Sequence, residues 1–428
     1  MEKRAHKSLL ASLGASKSEL LTSAVDIFTM PFVDTSLEDS YTSIVLPNNR
    51  DSNSSVVEFT VEPMSDYYVS MFATLMYMEF HVTKHDGSSR IGVDEDVSFI
   101  TLPASSLFNL LEVFVNDRQV VALGNSQLGY KTYIEHMLSY SDSTIHGHLQ
   151  AAQCVVDTPG KLDSKGPVRP LEAGAAAADR QFFMFAGNGA FVANHLKMVG
   201  DGKKIAVLCQ PAGDIFAMEK VFPPKTKIML RFHRNRDSFF MRYEPGANTV
   251  EDPAVEYRPV IDRIELRVKH MKLSEKVANY HRLLFESQNL SAHPFKHTEI
   301  KAFAFPAGTQ NINVGNVHKG DIPKSLFVVM VDTAAFNGEP NYHPYNFQDF
   351  GCIRARAILN GVSYPDHQGY TPNRDLRYLE EWVALNRNVG IGMQDAANQV
   401  NNSFFTGGFF CLSFQFCGVR RRRRRIRR

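Results

Sequence analysis

The chain is 428 residues long, 44% of them hydrophobic, with a formal net charge of +2. That length exceeds the roughly 250–300 residues that one hydrophobic core supports, so two domains are expected. Eight arginines, Arg420, Arg421, Arg422, Arg423, Arg424, Arg425, Arg427 and Arg428, close the chain and leave residues 1–419 at −6, which excludes a folded body that grips a phosphate backbone through a basic face.

From the N-terminus, "MEKRAHKSLLASLGASKSELL" has a basic start but no apolar run long enough for a signal peptide. The sequons at Asn53, Asn289 and Asn401 therefore read as chance, since glycosylation needs the secretory route. Period-2 stretches follow. "ATLMYMEFHV" sets Met76, Met78, Phe80 and Val82 on one face, and "LLEVFVNDRQVV" places Asn116-Asp117 between two β-like runs as a hairpin turn. "GYKTYIEHMLSYS" changes to helical spacing through Tyr130, Ile134, Met137 and Leu138.

Residues 84–99 and 141–220 read as long loops, of the kind that are functional, disordered or contact-making. Strand patterns resume in "KTKIMLRFHR", with Ile228, Leu230 and Phe232, and in "IDRIELRVKH", with Ile264, Leu266 and Val268. Between them the Pro, Gly and Asn of "RYEPGANTVEDPAVEYRP" mark a candidate linker. "KLSEKVANYHRLLFES" predicts a second helix with an apolar stripe of Val277, Tyr280, Leu283 and Leu284. Asn360-Gly361 in "RARAILNGVSYP" supplies the positive φ angles of another tight hairpin.

"FFTGGFFCLSFQFCGV", residues 404–419, is too short and too polar to cross a membrane, a task for about 20 apolar residues. Its Phe410, Leu412, Phe414 and Phe416 alternate with Cys411, Ser413 and Gln415, which predicts a β-strand.

Sites for chemistry are scarce. The one H-x-H, His146 to His148, has no carboxylate until Asp157 and reads as loop histidines. Five cysteines, Cys154, Cys209, Cys352, Cys411 and Cys417, are odd in number and form no CxxC pair, which argues against a disulfide framework and a zinc ribbon and for a reducing compartment. "FAGNGAFV" and "NVGIGMQD" lack the third glycine and the strand-to-helix setting of a phosphate cradle. No catalytic, metal or cofactor site is expected. The many aromatics, 31 Phe and 15 Tyr, fit either large β-cores or a protein that buries its loops against copies of itself.

Several phrases combine into a resemblance: "SELLTSAVDIFTMPFVDTSLEDS", "SLFNLLEVFVNDRQVV" with "YKTYIEHMLSYS", and above all Thr298 to Pro365. Over residues 15 to 416 the chain resembles the hexon-like major capsid proteins of Polinton/Maverick elements and adintoviruses. The resemblance implies an all-β dominated chain of two tandem jelly-roll sandwiches with short helices and long loops. It implies a non-enzymatic homotrimer making one pseudo-hexagonal capsomer of a virion shell, in contact with neighbouring capsomers and a penton or minor capsid protein, made in the host cytoplasm with nuclear assembly. The expected division is an N-terminal arm (1–40), a first jelly roll (41–245), a linker (246–259), an incomplete second jelly roll (260–418) and the Arg-rich tail (419–428).

That tail departs from the family, whose members continue after "FFTGGFFCLSFQF" with further strands. Either the arginine run replaces the family's end through a frame change or decay, or it is a sequence-blind contact to DNA. The rival function is condensation of nucleic acid through those arginines.

Overall fold

The computed structural model describes residues 36–49, 51–84, 97–120, 127–155, 157, 159–160, 162–163, 203–243, 257–294, 296–391 and 397–416. Most of the expected N-terminal arm, the "FAGNGAFV" stretch and the whole Arg-rich tail lie outside these residues.

Strands dominate the described chain, with short helices between them. They are β1 (Leu37–Val45), β2 (Val56–Val61), β3 (Tyr68–Lys84), β4 (Val97–Phe99), β5 (Phe108–Val115), β6 (Arg118–Gln119), β7 (Ile205–Cys209), β8 (Ile228–Arg234), β9 (Met241–Tyr243), β10 (Tyr257–Leu273), β11 (Ser325–Val329), β12 (Ala357–Leu359), β13 (Val362–Tyr364) and β14 (Cys411–Gln415). Three helices exceed two turns: α1 (Leu128–Ser139), α2 (Glu275–Glu286) and α3 (Leu379–Val389).

Eight strands form two four-stranded sheets, in the orders β1-β10-β3-β7 and β2-β8-β5-β6. Counted as eight, the orders read 1-8-3-6 and 2-7-4-5, the double Greek-key pattern of a jelly roll. Its core is made by the period-2 faces: Met76, Met78, Phe80 and Val82 of β3, Ile228, Leu230 and Phe232 of β8, and Ile264, Leu266 and Val268 of β10 are all buried. Phe59 meets Phe232 edge to face at 6.0 Å, and Phe99 stacks on Phe240 at 5.6 Å. The β5–β6 turn carries Asn116 at φ 49° and Asp117 at φ 61°, the double left-handed geometry that Asn and Asp tolerate.

The last strand of this jelly roll changes the expected domain boundary. β10 pairs antiparallel with β3 from Tyr257↔Lys84 to Met271↔Tyr68, so residues assigned to the linker and to the start of the second half complete the first sheet. Alternation shows that a segment is a strand; it does not show which strand it pairs with. The 141–220 stretch is also not all loop, because β7 lies in it and pairs with β3.

The second half contains two two-stranded antiparallel sheets among the described residues, β11-β14 and β12-β13. The β12–β13 hairpin turns at Asn360 (φ 50°) and Gly361 (φ 83°), as its dipeptide predicts. The strand expected within 404–419 runs only from Cys411 to Gln415 among the described residues, because Asn402–Thr406 is a helical turn. Asn401 caps it, its side chain accepting from Phe404 N at 2.8 Å. β14 is buried on both faces, Cys411 and Ser413 as well as Leu412 and Phe414.

Both halves share one core around α1. Tyr133 stacks on Tyr345 at 4.2 Å, Tyr130 meets Phe239 and Phe336, and Phe347 packs on Phe409. Gly129 allows this approach: a Cβ there would lie 2.8 Å from the Tyr345 hydroxyl.

Among the described residues, 36–39 group with Lys272–Asn289 in a smaller compact unit. In it Ser274 N donates to Ser36 O at 2.8 Å and Lys272 pairs with Glu38 at 3.3 Å. Its helix, α2, has the predicted stripe but buries no residue; Tyr280 and Leu283 are exposed.

Candidate functional site

The outer face of the β1-β10-β3-β7 sheet is solvated. Glu265 of β10 is fully buried beneath two arginines of the same strand, accepting from Arg263 at 2.7 Å and from Arg267 at 3.2 Å. Both guanidiniums lie over the ring of Tyr77, which faces Glu265 across the register. A buried carboxylate is retained only when paired and hydrogen-bonded, and this ladder meets that condition with side chains one strand supplies. The hydrogen bond to Arg263 and the charge of Glu265 hold that guanidinium above its usual range.

The second half presents a different surface. Every residue from Lys301 to Asn313 is exposed, and Phe303, Phe305 and Ile312 are 49%, 41% and 52% accessible. A backbone hydrogen bond from Thr309 N to Pro306 O closes its tip, where Gly308 takes φ 81°. At its base Lys301 Nζ donates to Val317 O at 2.9 Å, and Glu299 sits 3.4 Å from His318. Residues 301–316 are therefore an arm closed at both ends, and no strand is assigned along it.

A buried ion pair anchors the arm to the jelly roll. Lys131 of α1 and Asp214, in a 3-10 turn at Asp214–Ala217, pair with each other, both almost fully buried. The second carboxylate oxygen of Asp214 accepts from Thr298 N at 3.0 Å and lies 3.1 Å from His297. Thr298 also donates to Glu135 at 3.3 Å. Burial raises the Glu135 carboxyl, and Lys131 opposes that rise. One carboxylate thus joins α1 to His297 and Thr298, a few residues before the arm.

Beside β14 lies a groove of 580 Å³, open to solvent and lined by Tyr364, Tyr370, Leu379, Glu380, Val383 and Arg387 among others. Leu379 and Val383, on α3, are exposed. Trp382 points elsewhere, donating to Val400 O at 2.7 Å, which leaves the groove face of α3 aliphatic between Glu380 and Arg387.

Residues weighed for chemistry are not brought together. His146 is exposed beside Asp142 at 3.2 Å, and His148 opens a separate 3-10 turn, His148–Ala152. Among the described residues no group of three His, Cys, Asp or Glu is placed to hold a metal, and no helix is long and apolar enough to cross a membrane. Burial pushes the thiols of Cys154, Cys209 and Cys411 up to about 12, where a nucleophilic thiolate is scarce at neutral pH. Cys352 is half-buried, and Cys417 lies outside the described residues, as do the arginines at 420–425, 427 and 428. The arm and its anchor were not legible as a site. Phe303 and Phe305 stand at the i, i+2 spacing that any half-buried strand shows, and Lys131 and Asp214 are 83 residues apart.

No family model matches the chain. A curated relative, an uncharacterized protein of Caenorhabditis elegans, is 18% identical over 400 residues, which cover 91% of this chain and 87% of that one. Among solved structures, the Sputnik virophage cryo-EM structure matches with a TM-score of 0.38 and 9% identity, over 61% of this chain and 53% of that one. Mavirus major capsid protein matches at 0.32 and 11%, over 73% and 55%, and Faustovirus major capsid protein at 0.31 and 9%, over 64% and 62%. The chain spans little more than half the length of these solved structures.

Proposed function

We propose that the chain is a structural subunit of a viral shell of the Polinton/adintovirus kind, whose chemistry is burial, strand pairing and shape. The observation that carries this reading is the contrast between its surfaces: a jelly roll with a charge-laddered outer sheet, joined through one core to a second half that exposes Phe303, Phe305, Phe350, Ile353, Ile358 and Leu379. Large apolar side chains scattered singly are ordinary on any protein. Here most of them fall in the second half of the chain, and a surface unusually rich in exposed apolar side chains is a candidate for contact with a partner.

A copy of the same chain meets this requirement most economically. In a cyclic trimer one face of each copy meets a different face of the next, which covers the open edges of the two-stranded sheets. The proposed assembly is a homotrimeric, pseudo-hexagonal capsomer in a virion shell, bordered by neighbouring capsomers and a minor capsid protein. Catalysis has no place in it.

Size-exclusion chromatography with light scattering on the full chain tests the proposal. A stable species of three times the 48.2 kDa chain mass is expected. A soluble monomer at micromolar concentration overturns it.

A further inference from the structure

We propose that residues 301–316 are an exchange arm that seats Phe303 and Phe305 in the groove between α3 and β14 of a second copy of the chain. The inference rests on the reading of the chain as a subunit that assembles with its own kind, and it names the contact.

The arm has what a donated segment needs. In an extended chain residues i and i+2 point to the same side, about 7 Å apart, so the two rings form one apolar face. That face is bare: both phenyl groups are more than 40% exposed. At 49% and 41% exposure each has at most about half of the roughly 150–250 Å² of an aromatic side chain left to bury, about 100 Å² per ring. The base is fixed, so little order is lost on docking. Asp214 pins Thr298, and Lys301 bonds Val317 across the arm's neck. From the neck at Lys301 the two rings stand two and four residues out, about 7 and 13 Å along an extended limb whose tip lies about 20 Å away.

The groove supplies the complement. Its 580 Å³ falls within the range of about 300–1,000 Å³ that encloses a ligand of several rings. The aromatic walls Tyr364 and Tyr370 and the aliphatic floor Leu379 and Val383 suit phenyl groups. Glu380 and Arg387 both line the groove, and Lys301, 3.5 Å from its own Glu299, stands two residues from Phe303, so the charge pairing that accompanies seating is Lys301 toward Glu380. None of the arm's residues lines the groove of its own chain. Donor and acceptor are both solvent-facing in one copy, and a contact that runs from the arm of one copy to the groove of the next closes as a ring when the rotation between copies is a third of a turn.

Cysteine pairing tests this directly. Phe305→Cys and Leu379→Cys are made as separate full-length variants, mixed under oxidising conditions, and the products digested and read by peptide mass spectrometry. A disulfide joining positions 305 and 379 between two chains is expected, at least tenfold above either variant alone. In parallel, Phe303→Ser with Phe305→Ser, and Leu379→Glu with Val383→Glu, are each expected to shift the light-scattering mass from oligomer to monomer with an unchanged melting temperature. If the wild-type chain is an oligomer and neither double variant alters its mass, and no 305–379 link forms, the arm assignment is overturned while the subunit reading stands. If a variant carrying both cysteines links within one chain, the arm seats in its own groove and the exchange is overturned. A wild-type monomer sinks both.

Discussion

Tyr133 of α1 and Tyr345 of the second half lie ring on ring at 4.2 Å, with an interplanar angle of 11°. Both are fully buried. The Tyr345 hydroxyl shares a hydrogen bond with Ser106 Oγ at 2.9 Å, and Ser106 in turn donates to Thr101 O. The stack ties a helix of the jelly roll to a loop more than 200 residues later, and it is central to the core the two halves share. Tyr345→Ala is expected to destabilise the chain by about 3–5 kcal/mol, the usual loss for a large buried aromatic. Tyr345→Phe keeps the ring and leaves Ser106 bonded to Thr101, so its loss is expected near 1 kcal/mol. Urea unfolding of the three proteins checks both values, and a single transition lost as one unit supports the shared core.

Asp214 joins Lys131 on one side to His297 and Thr298 on the other, and two variants separate the two sides. Asp214→Ala leaves Lys131 buried without its carboxylate, which is expected to cost about 3–5 kcal/mol. It also removes the acceptor that holds Thr298 N at 3.0 Å. Trypsin should then cut after Lys296, Lys301 and Lys319 several times faster than in the wild type. Lys131→Met also destabilises, but Asp214 keeps Thr298 and His297, so the arm stays protected. Equal cutting in both variants would mean that Asp214 does not pin the arm.

Much of the jelly roll was legible in the sequence, because a half-buried strand must alternate. Met76 to Val82 and Ile228 to Phe232 declare their inner faces, and Asn116-Asp117 and Asn360-Gly361 declare their turns. What alternation leaves open is the partner. β10 reads as a strand in isolation, yet its pairing with β3 across more than 170 residues depends on which edge is vacant. The stripe on α2 likewise predicts a covered face, and no residue of the helix is buried. The helical turn at Asn402–Thr406 had a signal that the aromatic alternation masked. "NNSFFT" places Asn401 as a cap. The arm was the least legible part, since Phe at i and i+2 looks the same in a sheet and in solvent.

His136, on α1, gives the fold an acid-sensitive point. Burial lowers its pKa to about 4 from 6.5, and its hydrogen bond to Thr132 O at 2.8 Å only partly opposes this. The unfolded chain therefore binds a proton near pH 6.5 that the folded chain refuses until about pH 4. Stability from the neutral imidazole is complete above pH 6.5 and falls as the pH drops through that window, by up to about 3 kcal/mol. His136→Phe removes the titration. The difference in unfolding free energy between wild type and variant should change between pH 7 and pH 4 and stay flat above pH 7.

Arginines 420–428 make the last prediction, which separates shell building from nucleic-acid condensation. Residues 1–419 carry a net charge of −6, so affinity for DNA should reside in the tail alone. Each arginine that displaces a phosphate counterion adds about 0.9 to the slope of log K against log salt, and eight give a slope of up to about seven. Deleting Arg420–Arg428 is therefore expected to abolish retention on duplex DNA at 0.1 M salt, while the light-scattering mass remains that of the full oligomer. Loss of the oligomer on deletion would place the tail in the assembly contact. DNA retention with an unchanged salt slope would place the binding surface on the folded body, against its acidic balance.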